Sequence, residues 1–163
     1  MNIDSKACFL AAKQAGMDFL SVSESYSKET SLSIHNEEVE SQQIGSSSQY
    51  SFKGIYDGKK GIYSLDSYEP GRRDDIISSV KERSSFGRED KMENYFDGKA
   101  EYEKAKTLRE DFVPSNLEER RKEASSLSDE IRSKDSRIIN VDVSFSRSEE
   151  GGDKKNSLGL DCK

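Results

Sequence analysis

The chain contains few side chains that could do chemistry, and the first of them is its single histidine, His35. It ends a segment of alternating polar and apolar residues and stands beside Asn36 and Glu37. A zinc site needs three or four nitrogen, sulfur or carboxylate ligands around one ion, and an imidazole without histidine or cysteine neighbours does not supply them. We therefore interpret His35 as a solvated surface residue.

The two cysteines, Cys8 and Cys162, stand near opposite ends of the chain. They have neither the spacing of a local metal site nor the density of a secreted disulfide framework, so we expect two free thiols in a reducing cytosol. Cys8 falls near the start of a predicted helix, where a thiolate can be stabilised, but the sequence pairs no histidine with it. The residues favour a buried structural thiol, and a nucleophile is the alternative.

Two pairs of carboxylates, Asp74 with Asp75 and Glu118 with Glu119, stand where predicted helices begin. The positive end of a helix dipole stabilises acidic side chains there, so these pairs need no catalytic explanation. The sequence also contains no phosphate-binding loop, nucleophile elbow or glycine-rich dinucleotide motif. We predict no catalytic, cofactor-binding or metal-binding residue in this chain.

Composition restricts the fold and the partners. At 163 residues the length fits one domain, and with 31% apolar and 36% charged residues the core must be thin, which favours a sheet covered on one face. A net charge of -6, with basic residues interspersed among acids, argues against a nucleic-acid partner. Because no apolar run approaches membrane-spanning length, we expect no membrane partner and a soluble, cytoplasmic protein.

The first part of the chain predicts one helix followed by strands. An alanine-rich helix is predicted over residues 4–15, with Gly16 after it as the C-cap. Its predicted buried stripe consists of Ala7, Leu10, Ala11 and Ala15. Period-two alternation predicts short strands at 18–26, at 30–35, more weakly at 39–44, and on both sides of a turn at Asp57 and Gly58. About five such strands with tight connections predict an antiparallel meander.

Helices are predicted for the middle of the chain. Pro70 and Gly71 end the strand region, and a helix is predicted over 74–81. Its inward residues are Ile76, Ile77 and Val80. A short helix between Gly98 and Pro114, with Tyr102, Ala105, Leu108 and Phe112 along one side, is an assignment that the sequence leaves open. Ser115 and Glu118 form a capping-box pattern, which predicts a helix that runs to about Ser133. The buried stripe predicted for that helix consists of Leu117, Ala124, Leu127 and Ile131.

Strand patterns return near the end of the chain. Ile139, Val141, Val143 and Phe145 alternate with polar residues and predict a late strand. Residues 149–154 predict a flexible turn, and 156–161 begin a further strand that the last residues cut off. We therefore expect either a longer protein that continues the sheet or a partner that supplies the missing strands.

The predicted fold class is α+β. It consists of an antiparallel β-meander of about five strands with an N-terminal helix and two or three further helices, and it ends in an incomplete β-hairpin. The predicted organisation is one domain with three parts: a helix with strands at 1–69, a helical segment at 70–134 and a strand pair at 135–163.

Six segments carry a family resemblance. They are GMDFLSV at 16–22, TSLSI at 30–34, NEEVES at 36–41, DGKKG at 57–61, DSRIIN at 135–140 and NSLGL at 156–160. In order and spacing they resemble the N-terminal domain of the TldD/PmbA family, and together they extend over nearly the whole chain. The Ser-rich strand and the form FKGIY at 52–56 are more similar to the PmbA branch, also called TldE, than to the TldD branch.

The resemblance implies a part in zinc-dependent cleavage of unfolded peptides. In TldD-type subunits a His-Glu-x-x-x-His helix of the C-terminal half binds zinc, and this chain lacks that motif. The resemblance therefore implies a non-catalytic scaffold and assembly domain that pairs with a TldD-type subunit or with itself, with zinc held by the TldD-type subunit.

A second hypothesis follows from the predicted sheet rather than from the family. An incomplete sheet with Ser-rich edges offers main-chain hydrogen bonds to an added strand, such as an unfolded peptide. A freestanding, non-enzymatic binding protein that pairs through such an edge is therefore the alternative. Of the two, we favour the interpretation that the edge pairs with missing downstream strands of the same protein.

Overall fold

The computed structural model describes residues 3–97, 99 and 116–162. Its helices are α1 (Ser5–Gln14), α2 (Arg73–Ser85) and α3 (Leu117–Lys134), with short 3-10 turns at Pro70–Arg72 and Met92–Asn94. Its strands are β1 (Phe19–His35), β2 (Glu38–Tyr56), β3 (Lys59–Leu65), β4 (Asp142–Asn156) and β5 (Asp161–Cys162). They form one antiparallel sheet in the order β3-β2-β1-β4-β5, which confirms the predicted α+β class. The helix left open at 102–112 lies outside the described residues.

The predicted strands are too short and too many in the first part of the chain. The strands predicted at 18–26 and 30–35 are both parts of β1, which has 17 residues. The strand predicted at 39–44 and the first arm of the hairpin are both parts of β2, which has 19. The polar residues between the predicted pieces do not interrupt either strand, because exposed side chains leave the main chain free to pair on both sides.

The flexible turn predicted at 149–154 is also wrong, because these residues continue β4. The glycines there allow close contacts instead of a turn. A Cβ added to Gly152 would lie 2.4 Å from the carbonyl oxygen of Glu24, and one added to Gly151 would lie 2.5 Å from the Tyr26 hydroxyl. Glycine inside a strand is typical of such close approach. The turn comes later, and β5 pairs with β4 only at Lys154 and Lys155.

Two tight hairpins join the long strands. Asp57 and Gly58 connect β2 to β3 with φ values of 50° and 67°, which confirms the predicted turn. Asn36 and Glu37 connect β1 to β2 with φ values of 47° and 78°. Both pairs have positive φ at both central residues, as the right-handed twist of paired strands favours.

The described residues group into two compact units. The first contains those of 1–27, 47–102 and 150–163, and its main core lies between the sheet and two helices, α1 and α2. The inward set predicted for α2 is confirmed, since Ile76, Ile77 and Val80 are at most 2% exposed. These residues pack with Cys8, Ala12, Leu20, Val22 and Phe52.

The buried face of α1 differs from the predicted stripe of Ala7, Leu10, Ala11 and Ala15. The buried residues are Ser5, Cys8 and Ala12, while Leu10 is 59% exposed. Asp4 caps the helix by accepting from the Ala7 amide, as an N-cap residue does. Cys8 is one of the residue types most often fully buried, and its burial places Leu10, two residues later, away from the core.

The sheet of the first unit is covered on both faces, contrary to the single covered face that composition suggested. Phe19 and Leu20 are neighbours in β1 and are 1% and 0% exposed, although successive strand residues point to opposite faces. Leu20 packs in the core with the helices, and the Phe19 ring stacks on Tyr95 with 4.2 Å between centroids. Tyr95 belongs to the segment after α2 that the sequence pattern left unassigned.

The second unit contains the described residues of 28–46 and 103–149. Its core consists of Leu32, Ile34 and Ala124, against which Val39, Leu117, Val143 and Phe145 pack. The capping box of α3 is shifted by one residue from the prediction, because Asn116 caps the helix and Glu119 reaches back to it. The predicted stripe also fails at Leu127, which is 47% exposed, while the Ser128 hydroxyl is buried without a hydrogen-bond partner among the described residues.

Candidate functional site

The residues singled out for chemistry lie apart and have structural surroundings. His35 is 48% exposed, as predicted, and its Nδ1 donates to Asp142 at 2.7 Å. This hydrogen bond raises the pKa of His35. Asn36 fixes the same hairpin tip, since its side chain accepts from the Val141 amide at 2.9 Å and donates to Asn140 at 3.0 Å. The arrangement holds the β1–β2 turn against the residues that lead into β4.

Cys8 has the environment of a structural thiol. It is fully buried, and its Sγ lies 3.9 Å from the Tyr68 hydroxyl. Burial raises the pKa of the Cys8 thiol, which disfavours the thiolate that a nucleophile needs. Burial likewise raises the pKa of Tyr68 to about 12. Cys162 in β5 is partly buried, and both cysteines are free thiols.

The carboxylate pairs belong to helix starts. Asp74 and Asp75 lie in the first turn of α2, where Asp74 accepts from the Arg73 guanidinium at 2.9 Å. Glu119 accepts from the Asn116 amide at 3.2 Å as part of the α3 capping box. Across the described ranges, no three histidine, cysteine or carboxylate side chains come close enough together to hold a metal ion. These residues therefore do not fit zinc.

The segment with sequence NSLGL closes the β4–β5 turn. The buried Asn156 side chain accepts from the amides of Leu158 and Leu160 at 2.9 and 3.0 Å and donates to the Phe96 carbonyl at 2.8 Å. Ser157 forms two hydrogen bonds with Leu20. The Ser157 backbone amide donates to the Leu20 carbonyl at 2.9 Å, and the Ser157 hydroxyl accepts from the Leu20 amide at 3.2 Å. The residues that carry this part of the family resemblance are therefore structural.

One edge of the sheet is covered. In the first unit, residues 88–90 lie alongside the start of β3, so that the Lys60 amide donates to Arg88 at 3.0 Å. Further along β3, the Arg83 guanidinium donates to the Ile62 carbonyl at 3.1 Å. Covering main-chain groups in this way prevents a strand from pairing with another chain.

The second unit has two edges without such cover. Its parts of β2 (38–46) and β4 (142–149) lie on either side of β1, and no further strand in the described chain pairs with either part. We call these two ranges the open edges. Their charged residues lie towards the ends of the two ranges, neither range contains a lysine or a proline, and Ile44 in one of them is 64% exposed.

A shallow groove runs over the three strands of this unit. It has a volume of about 500 Å³, and its lining includes Ser31 of β1, Ile44 of β2 and Ser146 of β4. Small hydroxyl side chains leave the main chain accessible, and main-chain hydrogen bonds can hold an extended segment with little side-chain selectivity. The open edges with this groove are therefore the candidate binding site.

A polar cluster in the first unit was missed by the sequence pattern. The Asp90 carboxylate accepts from the Tyr95 hydroxyl at 2.6 Å and from the side-chain amide of Asn94 at 3.1 Å, and it lies 3.3 Å from the Lys60 ammonium. These contacts lower the pKa of Asp90 to about 2, and the hydrogen bond from the Tyr95 hydroxyl contributes most to this shift. The pKa of Tyr95 is raised, mainly by burial and next by its hydrogen bond to Asp90. Two adjacent aromatic residues, Tyr95 and Phe96, in an otherwise polar stretch were the available signal.

The Asp90 cluster predicts a loss of stability in acid. The folded-state pKa of Asp90, about 2, lies below the ordinary value of 3.8. The ionised carboxylate therefore stabilises the fold above pH 3.8, and this stabilisation is lost as the pH falls towards 2. Asp90→Asn is expected to lower the free energy of unfolding at pH 6 and to change it little at pH 2. Urea unfolding at both values measures this. Asp66→Asn, at an exposed carboxylate, is the control, and an equal effect of both variants would contradict the role of the cluster.

The fold is similar to that of larger solved proteins. A proposed modulator of a DNA gyrase from Thermotoga maritima has a TM-score of 0.76 at 23% identity, and TldE from Thermococcus kodakarensis has 0.70 at 18%. A proposed modulator of DNA gyrase from Bacteroides thetaiotaomicron has 0.75 at 20%.

These similarities cover 97–99% of this chain but only 35–39% of each of those proteins. The chain therefore spans little more than a third of the length of the proteins whose fold it shares. No protein-family model and no curated protein sequence matches it. No helix within the described residues has the length and apolar character of a membrane span.

Proposed function

We propose that this chain is the N-terminal domain of a TldD/PmbA-type protein and serves as a non-catalytic scaffold and assembly domain in a cytosolic peptide-cleaving complex. The observation that carries the proposal is the fold match over 97% of the chain to TldE, at a TM-score of 0.70. The six family-like segments support it independently, because they were identified from residues and not from the fold.

In this proposal the chain binds and positions a partner subunit or a peptide, and the peptide is cleaved in another subunit. Since its described residues do not fit zinc, the metal belongs to a TldD-type subunit, where it would activate water for hydrolysis. The scaffold contributes the open edges. Their main-chain groups can pair with an extended segment, either a strand of the partner subunit or an unfolded peptide on its way to cleavage.

The second candidate function is a freestanding binding protein that pairs through the open edges without proteolysis. The difference between the edges favours it. Residues 88–90 and Arg83 cover the edge of β3, whereas the open edges have neither such cover in the described chain nor lysine or proline. An edge that no other segment covers is available to pair with a further strand.

Size-exclusion chromatography with light scattering tests both functions. The chain is run alone, with a TldD-type subunit from the same source, and with an extended unstructured peptide. A defined complex with the subunit supports the scaffold. Binding to the peptide alone supports the freestanding binding protein. A monomer that binds neither contradicts both.

A lysine placed on each open edge tests where binding occurs. The double variant Gln43→Lys and Ser144→Lys is expected to weaken the complex by at least about tenfold, since a buried lysine at a pairing edge opposes strand addition. Ser126→Lys, at an exposed position on α3, adds charge away from the edges and is the matched control. Equal affinities for the double and control variants would place the interface elsewhere on the chain.

A further inference from the structure

The open edge of β2, residues 38–46, carries its charge at one end. Glu38 and Glu40 lie next to the hairpin that joins β1 to β2, and the remaining residues of the range are uncharged. Glu40 accepts from the Ser33 hydroxyl at 3.1 Å, and neither glutamate forms an ion pair with a cation among the described residues. This edge therefore has negative charge that the described part of the chain does not neutralise.

The open edge of β4, residues 142–149, has its charges paired. Arg147 lies 2.7 Å from Glu149, and Asp142 accepts from His35 at 2.7 Å. A charged ligand at this edge would have to compete with these contacts. Of the two open edges, that of β2 is therefore the one whose charge is available to a partner.

An exposed isoleucine lies on the same face of β2 as the two glutamates. Val39 packs against the core of this unit, and successive strand residues point to opposite faces of a sheet. Glu38, Glu40 and Ile44 therefore lie on the face away from that core. Ile44 is 64% exposed and lines the groove over the three strands. The edge thus presents an apolar side chain towards one end and two carboxylates at the other.

We propose that the open edge of β2 binds an extended basic peptide as an added antiparallel strand. The inference rests on the proposed function of the open edges and names the class of peptide that they take. An antiparallel strand passes Ile44 first and then Glu40 and Glu38, as the other neighbours in this sheet run. The matching peptide has an apolar residue followed, at the same spacing, by two lysines or arginines on the same face.

A second copy of this edge is a poorer match. Two β2 edges that pair antiparallel around Gln42 place Ile44 of each copy opposite Glu40 of the other, so that an apolar side chain meets a carboxylate. Two edges that pair in parallel place each glutamate beside its own copy, and like charges directly opposite are destabilising. A peptide from another protein can match both ends of the edge.

Fluorescence anisotropy with labelled peptides and the whole chain tests the proposal. The first peptide is a nine-residue threonine sequence with isoleucine at position 2 and lysine at positions 6 and 8. The second has glutamate in place of both lysines, and the third is the first sequence reversed. The lysine peptide is expected to bind at least about fivefold more tightly than the glutamate peptide, and more tightly than its reverse. The first ratio is expected to shrink at high salt, because salt screens exposed charges.

Two double variants locate the charge that the peptide contacts. Glu38→Gln with Glu40→Gln is expected to remove most of the preference for lysine over glutamate. Glu118→Gln with Asp129→Asn removes the same charge from exposed positions on α3 and is expected to keep that preference. Circular dichroism confirms that both are folded. Equal effects of the two double variants would mean that net charge alone attracts the peptide, which would overturn the inference.

The outcomes separate this inference from the function on which it rests. Equal affinities for the lysine and glutamate peptides would overturn the inference and leave the open edges as a binding site. Failure of all three peptides to bind would contradict peptide binding at the open edges as well. A dimer of the chain alone that Gln43→Lys dissociates would assign the edge to a second copy, which would also overturn the inference.

Discussion

Gly61→Ala is expected to destabilise the chain by about 3 kcal/mol or more, the upper range for overfilling a packed interior. A Cβ on Gly61 would lie 2.1 Å from the Val80 carbonyl oxygen and 2.7 Å from the Ser84 amide nitrogen. Both are backbone atoms of α2, so rotating a side chain cannot relieve the overlap. The helix must move away from β3, and Val80, which is fully buried, must move with it.

The glycine opposite strengthens the effect. Gly54 pairs with Gly61 across the β2–β3 ladder, and a Cβ on Gly54 would lie 2.9 Å from a Val80 methyl group. The two glycines together let α2 pack directly on the main chain of the hairpin. Ser84 completes this contact, because it is fully buried and its hydroxyl donates to the Val80 carbonyl at 2.9 Å.

Thermal unfolding measures the Gly61 prediction, with an expected fall in Tm of about 10 °C. Gly71→Ala is the matched control in the same unit, because a Cβ there meets no atom within 4 Å. Its Tm is expected to stay the same or to rise slightly, since alanine reduces the entropy of the unfolded chain. A Gly61→Ala variant as stable as Gly71→Ala would mean that α2 does not pack on the hairpin as described.

The glycine pair also shows what the sequence could and could not predict about this fold. The Asp57 and Gly58 turn was predictable because its chemistry is local, and both predicted inward isoleucines of α2 followed from helical spacing. The close approach at Gly61 was not predictable, because it depends on a helix that follows the hairpin in sequence. Local patterns specify elements, whereas contacts between elements decide which glycine is essential.

The strand lengths illustrate the same limit for the candidate site. Period-two alternation located the apolar ends of β1 but lost the strand in the polar middle around Lys28, where the main chain alone continues the ladder. The sequence therefore predicts an incomplete sheet with Ser-rich edges, but it does not specify which parts of the long strands form those edges. Residues 38–46 and 142–149 are open because β3 pairs only with residues 50–56 of β2 and β5 pairs only with Lys154 and Lys155 of β4. How far a neighbouring strand extends cannot be read from the strand that it leaves open.

Phe19→Ala is expected to lower the free energy of unfolding by about 3–5 kcal/mol, as for other large aromatic side chains removed from a core. Phe19 is 1% exposed, and its ring stacks on Tyr95 at 4.2 Å. The loss leaves a cavity on the second covered face of the sheet and removes the apolar contact that holds Tyr95. The Asp90 cluster is then weakened, because Tyr95 contacts Phe19 through its ring and Asp90 through its hydroxyl.

Urea unfolding together with amide hydrogen exchange separates these effects. Phe86→Ala removes the same side chain from a position that is 88% exposed, and its effect is expected to stay within about 0.5 kcal/mol. In Phe19→Ala the amides of residues 90–95 are expected to exchange faster under conditions in which α1 stays protected. If Phe19→Ala costs no more than Phe86→Ala, the contact with Tyr95 does not hold this segment on the sheet.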